Sequence, residues 1–392
     1  MQSKMNLLTD FRLMRLRFLI PVVIGTAFVA ALIFQAFAAH FVDGQSDFRS
    51  FYAAGYIVRT GHASQLYDYD LQRNIQQTVV GGDPVLPFLH PPHEAALFVL
   101  FSFLSYRSAY LLFGLVNLGL LALSYRLLQP KIRFSRHKWL PFAVFTTFLP
   151  VAASVLEGQD SVILLTLLIL ATLRLERDDL LAGGLVGLGS FRFQLTLPIV
   201  LLFLLWKRWR FASGFAIAAS LSFLASLVIV GPQGIGQYVH TLLTISVHLS
   251  SQSQMTKLAV FPLAMSNIRG LMFGLFGNLS STSLLIITAV LSVIVIAIAA
   301  KSSFHTMAIA VTAAVLVSYH SMDHDLVLLL IPIFVALNAA ERDLRASGLL
   351  VLVSPFFFVV ALPYPYLTSI PILALLILLC RKRGTVQAVP YH

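Results

Sequence analysis

The sequence predicts an all-α fold, a polytopic bundle of transmembrane helices, and three observations support this prediction. The chain has 392 residues, of which 58% are hydrophobic and only 11% are charged, whereas soluble proteins carry about 25% charged residues. Apolar runs that approach the roughly 20 residues a helix needs to cross a bilayer recur along the chain. The alternating segments of about 10 residues that mark a membrane β-barrel do not occur.

The net charge of +11 does not indicate a nucleic-acid-binding protein, because the basic residues form short clusters between apolar runs. Three such clusters lie at 12–17, 207–210 and 381–383. This distribution is typical of the cytoplasmic ends of transmembrane helices. The single cysteine, Cys380, excludes an internal disulfide. We therefore expect membrane lipids, and no nucleic acid, among the partners.

Twelve spans account for the apolar runs, and together they form one integral membrane domain over residues 1–392. The first span ends in a stretch that resembles a signal-peptidase site, but its length favours a retained helix. The basic loop at 131–138 falls on the outer side, so either two neighbouring spans are half-helices or this loop meets anionic lipid head groups. The predicted spans lie near 16–39, 92–105, 108–128, 140–155, 160–175, 180–205, 211–231, 282–300, 304–319, 324–339, 345–361 and 366–380.

Two longer polar stretches, residues 40–91 and 232–281, separate the spans on the predicted outer side. The first stretch holds five of the 16 acidic residues of the chain. It also contains aromatic and small residues at helical spacing, namely Phe48, Phe51, Tyr52, Gly55 and Tyr56. This spacing predicts an amphipathic helix that lies along the membrane surface and is stopped by Gly61.

Soluble-enzyme signatures are absent: the sequence has no phosphate-binding glycine loop, no His-Glu-x-x-His and no paired cysteines. Candidate residues are therefore polar side chains at or within the membrane, where polar groups are costly and often functional.

Asp47, at the start of the predicted surface helix, has two interpretations. It is a helix N-cap, for which Asp is well suited, or a carboxylate that accepts a proton from an acceptor hydroxyl. Both can hold at once.

A second candidate is the run from Tyr319 to Asp325, which holds two histidines and two aspartates between two spans. It could bind a metal, form a plain solvated turn, or donate hydrogen bonds from a histidine to a lipid phosphate. A third candidate is Arg269, whose planar guanidinium suits a phosphate, with interfacial anchoring as the alternative.

Further polar residues are Glu157 to Asp160, followed by Arg192 and Gln194 in a later span. Their spacing does not choose between packing of polar groups and a functional site. The two prolines after His90 mark the start of the second span, because proline favours the first turn of a helix.

These segments, in this order, resemble glycosyltransferase family 87, the polyprenol-phosphate-mannose-dependent mannosyltransferases of the GT-C superfamily. His90 replaces the tyrosine of an aromatic-Pro-Pro motif, and Arg192 replaces the lysine of a Lys-Pro-Gln motif whose proline is missing. The departure at Arg192 concerns the sugar or the lipid contacts rather than the reaction class. The segments that carry the resemblance are Asp47-Phe48, Phe51-Tyr52-Ala53-Ala54-Gly55, Leu66-Tyr67-Asp68, Leu89-His90-Pro91-Pro92, Gly158-Gln159, Asn267-Ile268-Arg269-Gly270-Leu271 and the His/Asp run before the span at 324.

The resemblance implies an inverting transferase with a GT-C helical fold that moves mannose from a polyprenyl-phosphate donor to a lipid or glycan acceptor. The reaction would take place at the outer face of a bacterial inner membrane, in cell-envelope glycan synthesis. It implies neither a cofactor nor a metal, because cationic side chains can stabilise the monophosphate that leaves.

By the same resemblance, Asp47 is the catalytic base. We expect Arg269, His320 and His324 to bind the donor phosphate. The acceptor or sugar pocket is expected to include Tyr52, Asp68, His90, Gln159, Arg192 and Asn267.

Two other classes of function compete with this interpretation. A flippase or transporter of lipid-linked glycans would require a continuous polar path across the membrane, whereas the acidic residues here gather on one side. A non-catalytic membrane scaffold would leave Asp47 replaceable.

Overall fold

The computed structural model describes residues 41–81, 85–133, 139–175, 177–247, 258, 260–302, 306–338 and 363–381, together with Ile24, Phe28 and Leu32. The predicted span at 345–361 and nearly all of the span at 16–39 lie outside these residues. The described part is helical and contains no β-strand, which confirms the predicted all-α class.

Fifteen α-helices follow one another along the described residues. They are α1 (Phe48–Arg59), α2 (Tyr69–Ile75), α3 (Pro92–Val99), α4 (Tyr106–Leu128), α5 (Trp139–Thr147), α6 (Leu149–Leu156), α7 (Ser161–Arg174), α8 (Asp179–Leu188), α9 (Phe193–Leu205), α10 (Trp209–Val247), α11 (Ile268–Phe276), α12 (Ser281–Ala300), α13 (Thr306–Val317), α14 (Leu330–Asn338) and α15 (Ser369–Cys380). Short 3₁₀ or π-helical segments lie at Phe41–Gln45, Ala63–Gln65, Gln76–Val80, Phe101–Phe103, Gln129–Lys131, Gly189–Arg192, Pro262–Ala264, Asp323–Leu329 and Pro365–Thr368.

Four helical stretches in the described residues are long and apolar enough to cross a membrane, and they match four predicted spans. They are Tyr106–Lys131, Asp179–Leu205, Trp209–Ile245 and Ser281–Ala300. Shorter apolar helices occupy Ser161–Arg174, Thr306–Val317 and Pro365–Cys380. The protein is therefore a helical membrane protein, while the count of twelve spans is not confirmed.

Two predicted spans are interrupted. The run at 140–155 divides into α5 and α6, because Phe148 is extended (φ −66°, ψ 114°) and Pro150 follows in the first turn of α6. The run at 92–105 contains only the eight residues of α3 before a 3₁₀ turn. Apolar composition persists through both breaks, so hydropathy alone does not reveal them.

The helix predicted in the first outer loop is α1, and it ends just before Gly61, whose φ is +83°. Its residues are nevertheless covered on almost all sides. The ring of Phe48 stacks on Phe113 of α4 at 5.2 Å, and Phe51 stacks on Phe98 of α3 at 4.7 Å. The helix α1 is thus enclosed by its neighbours rather than laid open along a membrane surface.

The second outer stretch begins inside a helix. The helix α10 continues past the predicted end at residue 231 to Val247, across a kink at Gly231 (φ 68°, ψ 178°) that precedes Pro232. Proline cannot donate the helical hydrogen bond at this position, so the chain changes direction there and then resumes its helix.

The largest apolar core surrounds α13, in which every residue from Met307 to Leu316 is buried. Side chains of α7, α9, α14 and α15 complete this core. The C-terminal end of α13 leads directly into residues 318–325, so the core fixes the position at which those polar residues emerge.

Candidate active site

A tight turn between α6 and α7, residues 157–160, forms the centre of the site; we call it the 157–160 turn. Gly158 adopts φ +64°, a left-handed conformation that glycine tolerates and most residues do not. A Cβ atom at this position would clash with the side chain of Phe48. Glycine therefore allows the turn to lie directly against the start of α1.

Hydrogen bonds from two other helices hold the 157–160 turn in place. In α4, the Tyr110 hydroxyl donates to the Leu156 carbonyl at 2.6 Å, and Asn117 Nδ2 donates to the Gln159 carbonyl at 3.0 Å. The backbone N–H of Phe48 donates to the Glu157 carbonyl at 3.0 Å. The turn is thus fixed to both α4 and α1.

Asp47 lies opposite this turn. Gln159 Nε2 donates to Asp47 Oδ2 at 2.6 Å, and no donor among the described residues reaches Oδ1. Although Asp47 precedes α1, its side chain makes no capping hydrogen bond, so the structure does not support the N-cap interpretation. Burial and the nearby charge of Glu157 raise the pKa of Asp47 to about 6, against the opposing effects of His324 and Gln159.

His324 forms the second wall of the site. Its Nδ1 lies 2.6 Å from Glu157 Oε2, and its carbonyl accepts a hydrogen bond from Ser154 Oγ at 2.8 Å. Burial alone would lower the pKa of His324, but the charges of Asp325 and Glu157 outweigh it and raise the pKa to about 9. The ring is therefore cationic at neutral pH.

Asp47, Glu157 and His324 together form what we call the outer cluster, because one side-chain ligand atom of each lies within 4.8 Å of those of the others. This spacing would admit a metal ion. As the cluster stands, Glu157 Oε2 and His324 Nδ1 engage each other at 2.6 Å beside the Asp47 carboxylate.

A second, deeper group surrounds Arg192, and we call it the inner cluster. Arg192 is 2% exposed and forms ion pairs with Asp160 and, at 3.4 Å, with Asp325. Its guanidinium also donates to Gln159 Oε1 at 2.5 Å. Arg192 therefore faces buried carboxylates rather than lipid.

The inner cluster extends to the start of α3. His90 Nδ1 lies 2.7 Å from Glu94 Oε2, and Glu94 is fully buried. His90, Glu94 and Asp160 offer ligand atoms within 4.8 Å of one another. As predicted, the two prolines after His90 begin the helix: Pro91 is the N-cap and Pro92 is the first residue of α3.

The start of α11 is attached to the loop at 318–325. Asn267 Oδ1 accepts from the Gly270 N–H at 2.8 Å, and Asn267 Nδ2 donates to the Ser318 carbonyl at 2.7 Å. Arg269 Nη1 donates to the Tyr319 carbonyl at 3.1 Å. This bond occupies one of the five N–H donors of the guanidinium.

The two histidines predicted to bind phosphate differ in charge. Burial and the positive charge of Arg192 lower the pKa of His320 to about 4, although Asp325 opposes this shift. At neutral pH His320 is therefore a neutral donor, whereas His324 is a cation. Asp323 Oδ1 accepts a hydrogen bond from Ser266 Oγ at 2.6 Å.

The structure brings most predicted site residues together but not Tyr52 and Asp68. The Tyr52 hydroxyl donates to the Leu104 carbonyl at 2.7 Å, within the aromatic core around α1. Asp68 is exposed and caps α2 by accepting from the N–H groups of Asp70 and Leu71. Within the described residues, neither side chain contacts the inner or outer cluster.

Four carboxylates of the two clusters were not assigned a site role from the sequence: Glu94, and Glu157, Asp160 and Asp325, which lie in segments named there only as candidates. A signal for them exists in the sequence. Acidic residues are scarce in this chain, and each of these four lies next to or inside an apolar run, where an unpaired charge would be costly.

The family model that describes glycosyltransferase family 87 matches residues 88–322, more than half of the chain. This range contains the 157–160 turn, Arg192, Arg269 and His320, whereas Asp47 precedes it and His324 follows it. No curated protein and no solved structure matches the sequence.

Proposed function

Because the chain belongs to glycosyltransferase family 87 and is a membrane glycosyltransferase, we propose that it transfers mannose from a polyprenyl-phosphate donor to a lipid or glycan hydroxyl. We place this reaction at the outer face of a bacterial inner membrane. The choice of mannose and of the lipid carrier follows the motif resemblance described under Sequence analysis. The family match gives no support to a flippase.

The observation that carries the proposal is the environment of Asp47. Its carboxylate is partly exposed, is oriented by Gln159 at 2.6 Å and has one oxygen without a donor among the described residues. A general base must reach the proton that it removes and must have a pKa near the working pH. The pKa of about 6 for Asp47 meets the second requirement.

The proposed reaction is a single displacement. The acceptor oxygen attacks the anomeric carbon as its proton passes to Asp47, and the bond between that carbon and the phosphate oxygen breaks. The products are the inverted glycoside and polyprenyl phosphate, and Asp47 later releases its proton to water.

Nitrogen donors in the loop at 318–325, and Arg269 bonded to it, would stabilise the departing phosphate. Arg269 and His324 carry positive charge, and His320 offers a neutral N–H donor. Charge-assisted hydrogen bonds to phosphate are stronger than neutral ones, and donors placed in advance stabilise the charge that develops as the bond breaks. We propose that these residues act in place of a metal ion.

The direct test is a transfer assay with purified protein in liposomes, radiolabelled polyprenyl-phosphate-mannose and a lipid extract from the host. We expect a labelled product and release of unlabelled polyprenyl phosphate, both of which depend on Asp47. A product formed only from a nucleotide-activated sugar would contradict the proposed donor.

The proposed orientation has a separate test. Asp43 lies close to Asp47 and is exposed, so a thiol in its place reports which side of the membrane the site faces. In Cys380→Ala/Asp43→Cys, a membrane-impermeant maleimide should label intact spheroplasts. Labelling only after the cells are opened would place the site on the cytoplasmic side.

A further inference from the structure

Glu157, in the 157–160 turn, is held by three contacts to the other parts of the site. Its side chain accepts from His324, its carbonyl accepts from Phe48 at 3.0 Å, and its carboxylate is close to that of Asp47. We propose that Glu157 is a positioning residue for the proposed transfer reaction, which fixes the His324 imidazolium and controls how readily Asp47 takes a proton. This inference rests on the proposed function.

The positioning half of the proposal follows from the geometry of α6. Ser154 and Glu157 lie one turn apart, so they share a face of the helix and its C-terminal end. Ser154 holds the main chain of residue 324, and Glu157 holds its ring. One short segment therefore fixes both the backbone and the side chain of His324.

The electrostatic half of the proposal follows from the charged groups that surround Asp47. Asp47 faces the charges of Glu157, His324 and Arg49, accepts a hydrogen bond from Gln159, and lies near the Tyr106 hydroxyl. Glu157 repels the ionised form of Asp47, whereas His324 and Arg49 favour it. Burial raises the pKa of Asp47 most, and Glu157 adds to this effect, so Asp47 is basic enough to take a proton from a hydroxyl near neutral pH.

Glu157 is less suited to be the base itself. Its Oε2 is engaged by His324 Nδ1 at 2.6 Å. Asp47, by contrast, interacts through Oδ2 with a neutral amide and keeps Oδ1 for an acceptor. The two carboxylates therefore have different tasks.

The test is the pH dependence of kcat for wild type and Glu157→Gln, measured in the same liposomes. The wild-type rate should rise with pH near 6, as Asp47 ionises, and fall near 9, as His324 loses its proton. In Glu157→Gln the acid limb should move to lower pH by about one unit, the effect expected for loss of one charge about 5 Å from Asp47 in a partly exposed site. The alkaline limb should move to lower pH by at least as much, because Glu157 Oε2 lies only 2.6 Å from His324 Nδ1.

The signs of the two shifts are fixed by the contacts. Without the negative charge at 157, the ionised form of Asp47 is less repelled, so its pKa falls. Without the carboxylate acceptor, the protonated form of His324 is less stabilised, so its pKa also falls. Glu157→Asp keeps the charge and should leave the acid limb close to its wild-type position.

Ser154→Ala is the matched structural control, because it weakens the hold on residue 324 without changing any charge. We expect a lower maximal kcat, with the acid and alkaline limbs of the pH profile at their wild-type positions. The same result in Glu157→Gln would reduce Glu157 to a packing role and overturn the proposal.

A second measurement does not depend on activity. In protein labelled at its histidines, the NMR resonance that disappears in His324→Asn should titrate near pH 9 in wild type and at lower pH in Glu157→Gln. An unchanged titration would overturn the proposal even if the variant were inactive. Activity of Asp47→Asn at the wild-type rate would instead refute the proposed base, so the two failures are distinguishable.

Discussion

Gln159 Nε2 donates a hydrogen bond to Asp47 Oδ2 at 2.6 Å, across 112 positions of the chain. The other end of the same amide accepts from Arg192. One neutral side chain therefore connects the partly exposed carboxylate of the outer cluster to the buried ion pairs of the inner cluster. The orientation of Asp47 depends on that connection.

Asp47→Asn should abolish transfer without disturbing the fold. An asparagine oxygen can still accept from Gln159, but an amide cannot accept the proton of a hydroxyl. General-base catalysis contributes about 10²–10⁴-fold, so we expect a loss of at least about a hundred-fold in kcat, with donor binding retained. The measurement is initial rate in the liposome assay.

Asp43→Asn is the control for that variant. Asp43 lies four positions away and is exposed in an ion pair with Arg107 at 3.0 Å. The activity of Asp43→Asn should therefore stay near that of the wild type. Asp47→Glu should retain little activity, because a misplacement of about 1 Å can cost 10²-fold. If Asp43→Asn were inactive and Asp47→Asn active, the base would be Asp43 and not Asp47.

Arg269→Ala should weaken donor use. The guanidinium is anchored by the Tyr319 carbonyl through Nη1, which leaves other N–H groups for a phosphate. A hydrogen bond to a charged group is worth about 1.5–3 kcal/mol, so kcat/KM should fall about ten- to more than a hundred-fold. Arg269→Lys should recover only part of this loss, because an ammonium lacks the planar fork. Full activity of Arg269→Ala would restore the anchoring interpretation.

Activity should survive EDTA. In the proposed mechanism Arg269, His320 and His324 stabilise the departing phosphate in place of a metal ion. The measurement is initial rate after chelation and after dialysis against metal-free buffer. Loss of activity, restored by manganese or magnesium, would instead assign Asp47, Glu157 and His324 to a metal.

Arg192→Met should destabilise the protein strongly. It leaves Asp160 and Asp325 buried without their cation, and breaking a buried ion pair costs about 3–5 kcal/mol. Thermal unfolding in detergent should show a large fall in midpoint.

Arg208→Met is the comparison for Arg192→Met, because the ion pair of Arg208 with Asp179 is partly exposed and such pairs contribute about 1 kcal/mol or less. Equal falls in the unfolding midpoint for the two variants would show that the buried ion pairs of the inner cluster contribute no more to stability than a partly exposed ion pair.

The sequence predicted the fold class and several span boundaries because those depend on composition and local pattern. It did not predict the break at Phe148 or the continuation of α10 past Gly231, because an apolar run looks the same whether or not its backbone is continuous. The burial of α1 was also missed. Its aromatic spacing indicated one apolar face, but Arg49 and Ser50 outside that face are buried as well.

The candidate site was predictable in part, from the residues that carry a local motif. Asp47, Gln159, Arg192 and His324 were all predicted, and the hydrogen bonds and ion pairs of the two clusters bring them together. Their pairing was not predictable, because the bonds between different segments join residues from 32 to 167 positions apart. Spacing along one chain carries no information about such partners. The same limit explains why Glu157 was recognised as polar but not assigned a role.

Gly158 shows that a residue with no functional group of its own can tolerate fewer substitutions than a residue that contacts the substrate. It bears no functional group, yet any larger residue there must adopt a left-handed backbone and displace Phe48. Its three neighbours, Glu157, Gln159 and Asp160, each contact a different partner, so one misplaced turn would release all of these contacts together. In a saturation library selected for transfer, position 158 should therefore accept fewer residues than Arg269, although only the latter is proposed to touch the substrate.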